Sequence, residues 1–229
     1  MEYLLEGVRH AFELILTLDR EIVTITFISL NISTIAIMCA SVTGVPLGFI
    51  IGINKFRGRS IIITILNTLM ALPTVVVGLL VYSMVSHKGP LGPLGLLFTP
   101  TAMIIGQFIL ATPIIMSLTI SATQGIDQRV KSTATVLGAN SLQSGIAVVL
   151  EARFAIIAAV VAGFGRIIGE VGASMMLGGN IRGYTRNIPT AIALETSKGE
   201  FSLGLALGFV LLAVALIINF LLRFLQNKG

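Results

Sequence analysis

Two ionisable residues stand inside stretches that are otherwise apolar: Arg166 and Glu170, in FGRIIGEVGA. Charges within a membrane-grade helix are costly and turn towards the protein interior or a watery cavity, commonly in pairs. At a spacing of four residues the two share one helical face. They have two readings: a cation and its partner beside a water-filled route, or an ion pair that fixes helix packing. A second group lies in GGNIRGYTRNIP at 178–189, where Asn180, Arg182, Tyr184, Thr185 and Arg186 offer amide, hydroxyl and guanidinium donors. Such donors suit anions, and the competing reading is a solvated connecting loop. A third is KSTATVLGAN at 131–140, small and polar between apolar flanks. Other chemistries lack their residues. His10 and His87 are far apart and Cys39 stands alone, so neither a metal cluster nor a disulfide is expected. Glu170 is the one carboxylate within the apolar runs, too few for a proton relay. No Ser–His–Asp set survives the topology below. No G-x-x-x-x-G-K-[ST] loop is present to cradle a nucleotide.

The elements that must position these residues follow from hydropathy. Hydrophobic residues make up 55% of the 229 and charged residues 11%, against about 25% charged in soluble domains. The chain therefore reads as an all-α integral membrane protein. A spanning helix needs about 20 apolar residues, and five runs qualify, at about 22–53, 61–86, 96–126, 154–177 and 201–222. A polar connection at 127–153 joins the third to the fourth, and a polar loop from Gly178 to Glu200 joins the fourth to the fifth. Leu4, Val8, Ala11 and Ile15 recur at helical spacing, so 3–18 reads as an amphipathic helix on the membrane surface. It lies within an extracytoplasmic segment 1–21 that shows no signal-peptide pattern, and no further domain is expected after the fifth span. With loop 54–59 inside, the inner cations are Lys55, Arg57, Arg59, Arg129, Lys131, Arg153, Arg223 and Lys228. The outer ones are Arg9, Arg20, Lys88, Arg182, Arg186 and Lys198. The compact triple at 54–59 decides the orientation, N-terminus outside and C-terminus inside. The formal charge of +5 is scattered, with no basic stripe for nucleic acid.

Gly44, Gly48 and Gly52, then Gly165, Gly169 and Ala173, and Gly204 with Gly208 form small-residue faces. These let helices approach closely, either within one subunit or across a dimer seam. Pro73 and Pro113 are expected to break the second and third spans, as path-lining or as packing kinks. In the 127–153 connection, Val130, Ala134 and Leu137 share a face. Gly138 sits where a helix would end left-handed. Asn140 or Ser141 caps a second short helix carrying Leu142, Ile146 and Val149. The result is a helix–turn–helix knob, on the cytoplasmic side.

This knob resembles the coupling loop of ABC importer permeases, whose motif runs E-A-A, three residues, Gly, nine residues, Ile, one residue, Leu-Pro. Ser132, Thr133, Ala134, Gly138, Val148 and Leu150 occupy its positions. Ser132 and Thr133 replace Glu and Ala, and Glu151 stands for Pro. KFRGRS at 55–60, ALPTVVVGLLVY at 71–82, GPLGPLG at 89–95, FTPTAMIIGQ at 98–107 and GEVGASMMLGGNIRGYTRNIP at 169–189 are similar to molybdate-type permeases in the same order. VVLEARFAI, FGRIIGEVGA and TAIALETSKGEF look most like the tungstate-transport branch, Glu151 included.

The resemblance, over roughly 22–225, implies a type I ABC importer permease fold with a cytoplasmic coupling helix, in a prokaryotic cytoplasmic membrane. It implies a homodimer, a separate ATPase pair docked on Ser132, Ala134, Gly138, Ala139 and Leu142, and an extracytoplasmic oxyanion-binding protein. ATP and Mg would bind the ATPase; this chain would be no enzyme and carry no cofactor or metal. The cargo it implies is tungstate, with molybdate or another oxyanion as the alternative and an ATPase-independent channel or secondary transporter beyond that. Arg166 and Glu170, with Pro73, are then the translocation-path candidates. Arg166 lies about 18 Å along the helix from Phe154. Asn180, Arg182, Thr185 and Arg186 are the outer candidates for steering the anion or docking the binding protein. Asp127, Arg129, Lys131 and Arg153 flank the knob, facing either the ATPase or lipid headgroups.

Overall fold

The computed structural model describes the backbone of residues 2–227 and the side chains of 7–224 and 226; Lys228 lies outside these residues, and the Leu4 side chain is not among those described. Among the described residues all regular structure is helical. Ten α-helices run in chain order: α1 (Glu2–Leu16), α2 (Arg20–Ile53), α3 (Arg59–Met70), α4 (Thr74–Val85), α5 (Pro100–Gln124), α6 (Gln128–Val136), α7 (Ser141–Ile168), α8 (Gly172–Gly178), α9 (Ile188–Lys198) and α10 (Phe201–Asn227). Four of them (α2, α5, α7 and α10) are long and apolar enough to cross a membrane, and the bent pair α3–α4 brings the number to five when it is taken as one broken span.

Local chemistry starts and stops these helices. The Asp19 carboxylate accepts from the Glu21 and Ile22 amides and opens α2. α2 then continues for 34 residues, through Pro46. Its closest partner is α5, and glycines make the approach possible. A Cβ on Gly44 would meet Ile115 at 3.2 Å, and one on Gly52 would meet Thr123 at 2.8 Å. This face packs within the subunit. A Cβ on Gly165, Gly169 or Gly208 would meet nothing within 4 Å, and one on Gly204 only Thr196 at 3.5 Å. Gly165 and Gly169 are exposed in the single chain, whereas Gly204 is buried and Gly208 half-buried.

The second span breaks where Pro73 stands. Proline offers no amide hydrogen and pushes the residue before it out of the helical region. α3 ends at Met70 and α4 leaves at 96° to it. Pro113 does not act in the same way: α5 runs unbroken through it, contrary to the expected break. The fourth span differs from its expected extent. α7 begins at Ser141, well before Phe154, so the second helix of the knob is the first three turns of a 28-residue helix rather than a short one. The span then stops at Ile168, and α8 resumes after Gly169–Val171.

The loop expected at 178–200 contains a helix, α9. Asn187 and Thr190 form its capping box, Pro189 occupies its first turn, and Gly199 ends it at φ +85°. The core gathers Ile32, Ala36, Val77, Val81, Met103, Ala111, Ile115, Ile167 and Leu177 from α2, α4, α5, α7 and α8. α1 is the amphipathic helix expected at 3–18. Its Ala11 is buried with Ile25, Ala191 and Leu207, and Phe12 stacks on Phe209 of α10 at 5.3 Å.

Candidate functional site

Three places in the fold hold the residues with chemistry. The first is the tip formed by α6 and the start of α7. Asp127 caps α6 by accepting from the Arg129 amide. At its other end the Ala139 amide bonds the Ala134 carbonyl and the Gly138 amide bonds the Thr135 carbonyl, both at 3.0 Å. That is a complete Schellman closure, and Gly138 takes the left-handed backbone it needs, at φ +90°. Asn140, not Ser141, then caps α7 in a reciprocal pair with Gln143, each bond 2.9 Å. Thr135 and Ser144 hydroxyls meet at 3.3 Å across the corner.

α6 buries none of its residues. Ser132, Gly138 and Leu142 are exposed, and Ala134 and Ala139 are half-buried. Val136 and Leu137, 86% and 82% exposed, crown the tip. Val136 was not among the expected residues, although the apolar pair beside a helix-ending glycine is itself legible. The hydrogen-bonded corner thus holds two large aliphatic side chains out from the chain.

The second place is the pair of helix breaks. Arg166 Nη1 bonds Glu170 Oε2 at 2.9 Å, with side-chain exposures of 42% and 4%. Glu170 lies just beyond the end of α7, so its other oxygen turns to α8 and accepts from the Ala173 amide at 3.3 Å. The break after Pro73 faces this one. A Cβ on Gly172 would sit 3.0 Å from Val75, 3.2 Å from Thr74 and 3.3 Å from the Glu170 carboxylate. The fold thus brings together path candidates from two different spans. It adds two that hydropathy did not single out. The Gln107 amide of α5 donates to the Ile167 carbonyl at 3.3 Å, and the Gln107 carbonyl oxygen and the Ser174 hydroxyl are buried without a partner among the described residues.

Glu170→Gln keeps the shape of this site and removes the carboxylate. Taking one partner from a fully buried pair costs about 3–5 kcal/mol; Arg166 is partly open to solvent, which lowers the expected loss to about 1–3 kcal/mol. Thermal unfolding of the purified protein should shift down by several degrees, at about 2–4 °C per kcal/mol. An unchanged midpoint would show the pair to be energetically idle.

The third place is the loop between α8 and α9. Arg182 and Arg186 both reach the Glu21 carboxylate at the start of α2, Arg186 at 3.2 Å. Arg186 also lies 3.7 Å from Glu195 of α9, which Lys198 holds at 2.9 Å. Glu21 and Glu195 were absent from the expected set; no local pattern points to Glu21, whose arginine partners are far away in the chain, whereas Glu195 has Lys198 three residues on. Arg182 is 73% exposed and Arg186 only 11%. Thr185 is fully buried; its hydroxyl accepts from the Ile181 amide and donates to the Gly178 carbonyl. Its hydroxyl therefore serves the loop, as does the Asn180 backbone at φ +52°. Of the four outer candidates, Arg182 is the charged side chain most open to an incoming group. Among the described residues no three His, Cys, Asp or Glu side chains gather as metal ligands would.

Comparison with known proteins places this geometry. Residues 44–228 match the family described as "binding-protein-dependent transport system inner membrane component". Over 228 residues, all of both chains, the sequence is 41% identical to the tungstate uptake system permease protein TupB of Peptoclostridium acidaminophilum. A probable anion ABC transporter permease of Haloferax volcanii is 42% identical over 86% of this chain and 88% of its own. The molybdenum transport permease ModB of Escherichia coli K12 is 26% identical over 76% of this chain and 80% of its own. Among solved structures, the fold matches a bacterial ABC transporter that imports alginate, with TM-score 0.77 and 18% identity over 100% of this chain and 90% of that one. It also matches the inward-facing MetNI methionine transporter, with TM-score 0.72 and 16% identity over 91% and 95%. At these identities the structures speak for the fold alone.

Proposed function

Because the chain belongs to the family of binding-protein-dependent transport system inner membrane components, we propose that it is the permease subunit of an ATP-driven importer of tungstate. The carrying observation is the match over the full length of both chains to a tungstate uptake permease, in a chain whose α6–α7 corner holds Val136 and Leu137 exposed. In this reading the protein crosses a prokaryotic cytoplasmic membrane with its N-terminus outside and its C-terminus inside. Two copies form the path. A separate ATPase pair docks on the 127–150 tips through Ser132, Ala134, Gly138, Ala139 and Leu142, with Val136 and Leu137 added. ATP and Mg bind that partner, and the permease performs no chemistry of its own.

An extracytoplasmic binding protein releases the oxyanion at the end where Arg182 is exposed. The dianion then passes Arg166, whose guanidinium is partly open and partly neutralised by Glu170. A cation only half satisfied lowers the electrostatic barrier to an anion without creating a deep well that would slow its release. Alternating access follows from rigid-body movement of the helices when the ATPases close. Molybdate is the second reading, favoured by the 26% identity to a molybdenum permease.

Uptake measured by mass spectrometry tests both. Cells lacking their own oxyanion importers receive the permease with its ATPase and binding protein, and tungstate, molybdate and sulfate in parallel. Tungsten should accumulate, and only with an active ATPase. Molybdenum or sulfur alone would replace the cargo. Uptake that ignores the ATPase would replace the importer with a channel or secondary transporter.

A further inference from the structure

Between the end of α2 and the α6–α7 corner the surface opens into two joined hollows. One, of 560 Å³, is polar, with Lys55, Arg59 and Lys131 in its wall together with Asn54, Asp127 and Ser132. The other, of 440 Å³, is apolar, lined by Phe49, Ile50, Ile146 and Val149. They share Ile53, Asn54 and Lys131. Three cations against one carboxylate leave the polar hollow positive. The charges differ in what they do. Arg59 closes the end of α2, donating to the Ile51 and Gly52 carbonyls at 2.9 and 2.7 Å. Asp127 accepts from the Arg129 amide and lies 3.9 Å from its guanidinium. Lys55 and Lys131 are exposed and have no carboxylate within ion-pair distance among the described residues.

Depth says what meets this surface. The bilayer with its headgroups is about 40–45 Å thick, or about 27–30 helical residues. α2, at 34 residues, is longer than that; its uncharged run ends at Ile53, and α5, packed against it, ends at Gln124, both in the wall of the polar hollow, which therefore lies where two spans leave the apolar layer. α7 closes the floor there, since a Cβ on Gly145 would be in ordinary van der Waals contact with the Phe49 ring at 3.8 Å. Exposed Leu47 and Leu150 follow one helical turn along from Ile50 on α2 and Ile146 on α7. A positive hollow at headgroup depth, opening directly into an apolar groove, matches one kind of molecule: a phosphate with an acyl chain attached.

We propose that this crevice is a binding site for an anionic phospholipid, its phosphate between Lys55 and Lys131 and one acyl chain along Phe49, Ile50, Ile146 and Val149. The lipid would fill the space beneath the tip and tie the end of α2 to the start of α7. The proposal is independent of the cargo.

Native mass spectrometry of the purified full-length permease, titrated with dioleoyl phosphatidylglycerol or dioleoyl phosphatidylcholine, reads the site without any transport assay. Phosphatidylglycerol should bind more tightly, and Lys55→Gln and Lys131→Gln should each weaken it about fivefold while leaving phosphatidylcholine unchanged. Both lysines are exposed, and unaltered circular dichroism of the variants confirms that the fold is retained. Equal binding of the two lipids overturns the proposal, as does a preference that survives the double variant. Displacement by inorganic phosphate at matched concentration would reduce the site to an ion site. Displacement by the ATPase subunit would assign the groove to that partner instead.

Discussion

Gly138→Asp takes ATP-dependent uptake to background while the protein still reaches the membrane. Gly138 has φ +90°, and no atom lies within 4 Å of where a Cβ would be. The substitution therefore meets no clash. Its backbone cost is that of a left-handed L-residue, about 1–2 kcal/mol, and aspartate is among the side chains that tolerate this region best. The fold should survive. What changes is the surface: a carboxylate projects from the tip beside exposed Val136 and Leu137, where a partner must approach closely and exclude water. A desolvated, unpaired charge at such a contact costs several kcal/mol, a factor of a thousand or so in occupancy at about 1.4 kcal/mol per tenfold. Gly138→Asn, which accepts the same backbone without the charge, should retain most of the uptake. The readouts are cargo accumulation and the amount of protein in washed membranes. Normal accumulation with Gly138→Asp would remove the tip from the coupling machinery.

Gly48→Leu has its large effect on the fold. A Cβ at Gly48 would lie 2.7 Å from the Met116 carbonyl oxygen, 3.1 Å from Met116 Cα and 2.9 Å from Thr119 Cβ. Two of these are backbone atoms of α5, which cannot rotate away as a side chain can. α2 and α5 would have to separate along their whole contact. The cost lies at or above the top of the about 1–3 kcal/mol range for overpacking, because the neighbouring Gly44 and Gly52 contacts open with it. Little monodisperse protein should be recovered from detergent extracts, and its unfolding midpoint should fall by about 6 °C or more. Gly165→Leu is the control, since a Cβ there would meet nothing within 4 Å. Equal recovery of Gly48→Leu and the parent would mean that α2 and α5 do not pack as described.

Hydropathy made the spans legible because it reports what each stretch prefers as solvent. It placed α2, α5 and α10 closely. It failed where charge and helix boundaries part company. Glu151 and Arg153 read as the polar end of a connection, yet they lie within α7; a charge is no mark of a helix end. The converse holds at Gly169–Val171, where the helix breaks inside an apolar stretch and only the glycines hint at it. Pro73 and Pro113 looked alike in the sequence. One ends a helix and the other is accommodated in α5, and tertiary packing makes that choice. The α9 start had its signal in NIPT, a capping asparagine, a first-turn proline and a threonine three residues on, which hydropathy weighed as loop. Arg166 with Glu170, and Gly138 with Asn140, were legible because their partners are near in sequence. The grip of Glu21 on Arg182 and Arg186 spans more than 160 residues and becomes visible only once α2 and the α8–α9 loop are folded together.

The unbroken course of α7 has a mechanical consequence. From Ser141 at the tip to Arg166 at the break is about 37 Å along one axis, at 1.5 Å per residue. A helix of that length is stiff, so a push at one end is not absorbed along the way. Pivoting the rod by about 10° about either end swings the opposite one by about 6–7 Å. Under the proposed importer reading α7 would work as a crank: a small angle imposed at the tip that carries Val136 and Leu137 would become a displacement of several ångströms where the Arg166 guanidinium stands, with no relay of side-chain rearrangements in between.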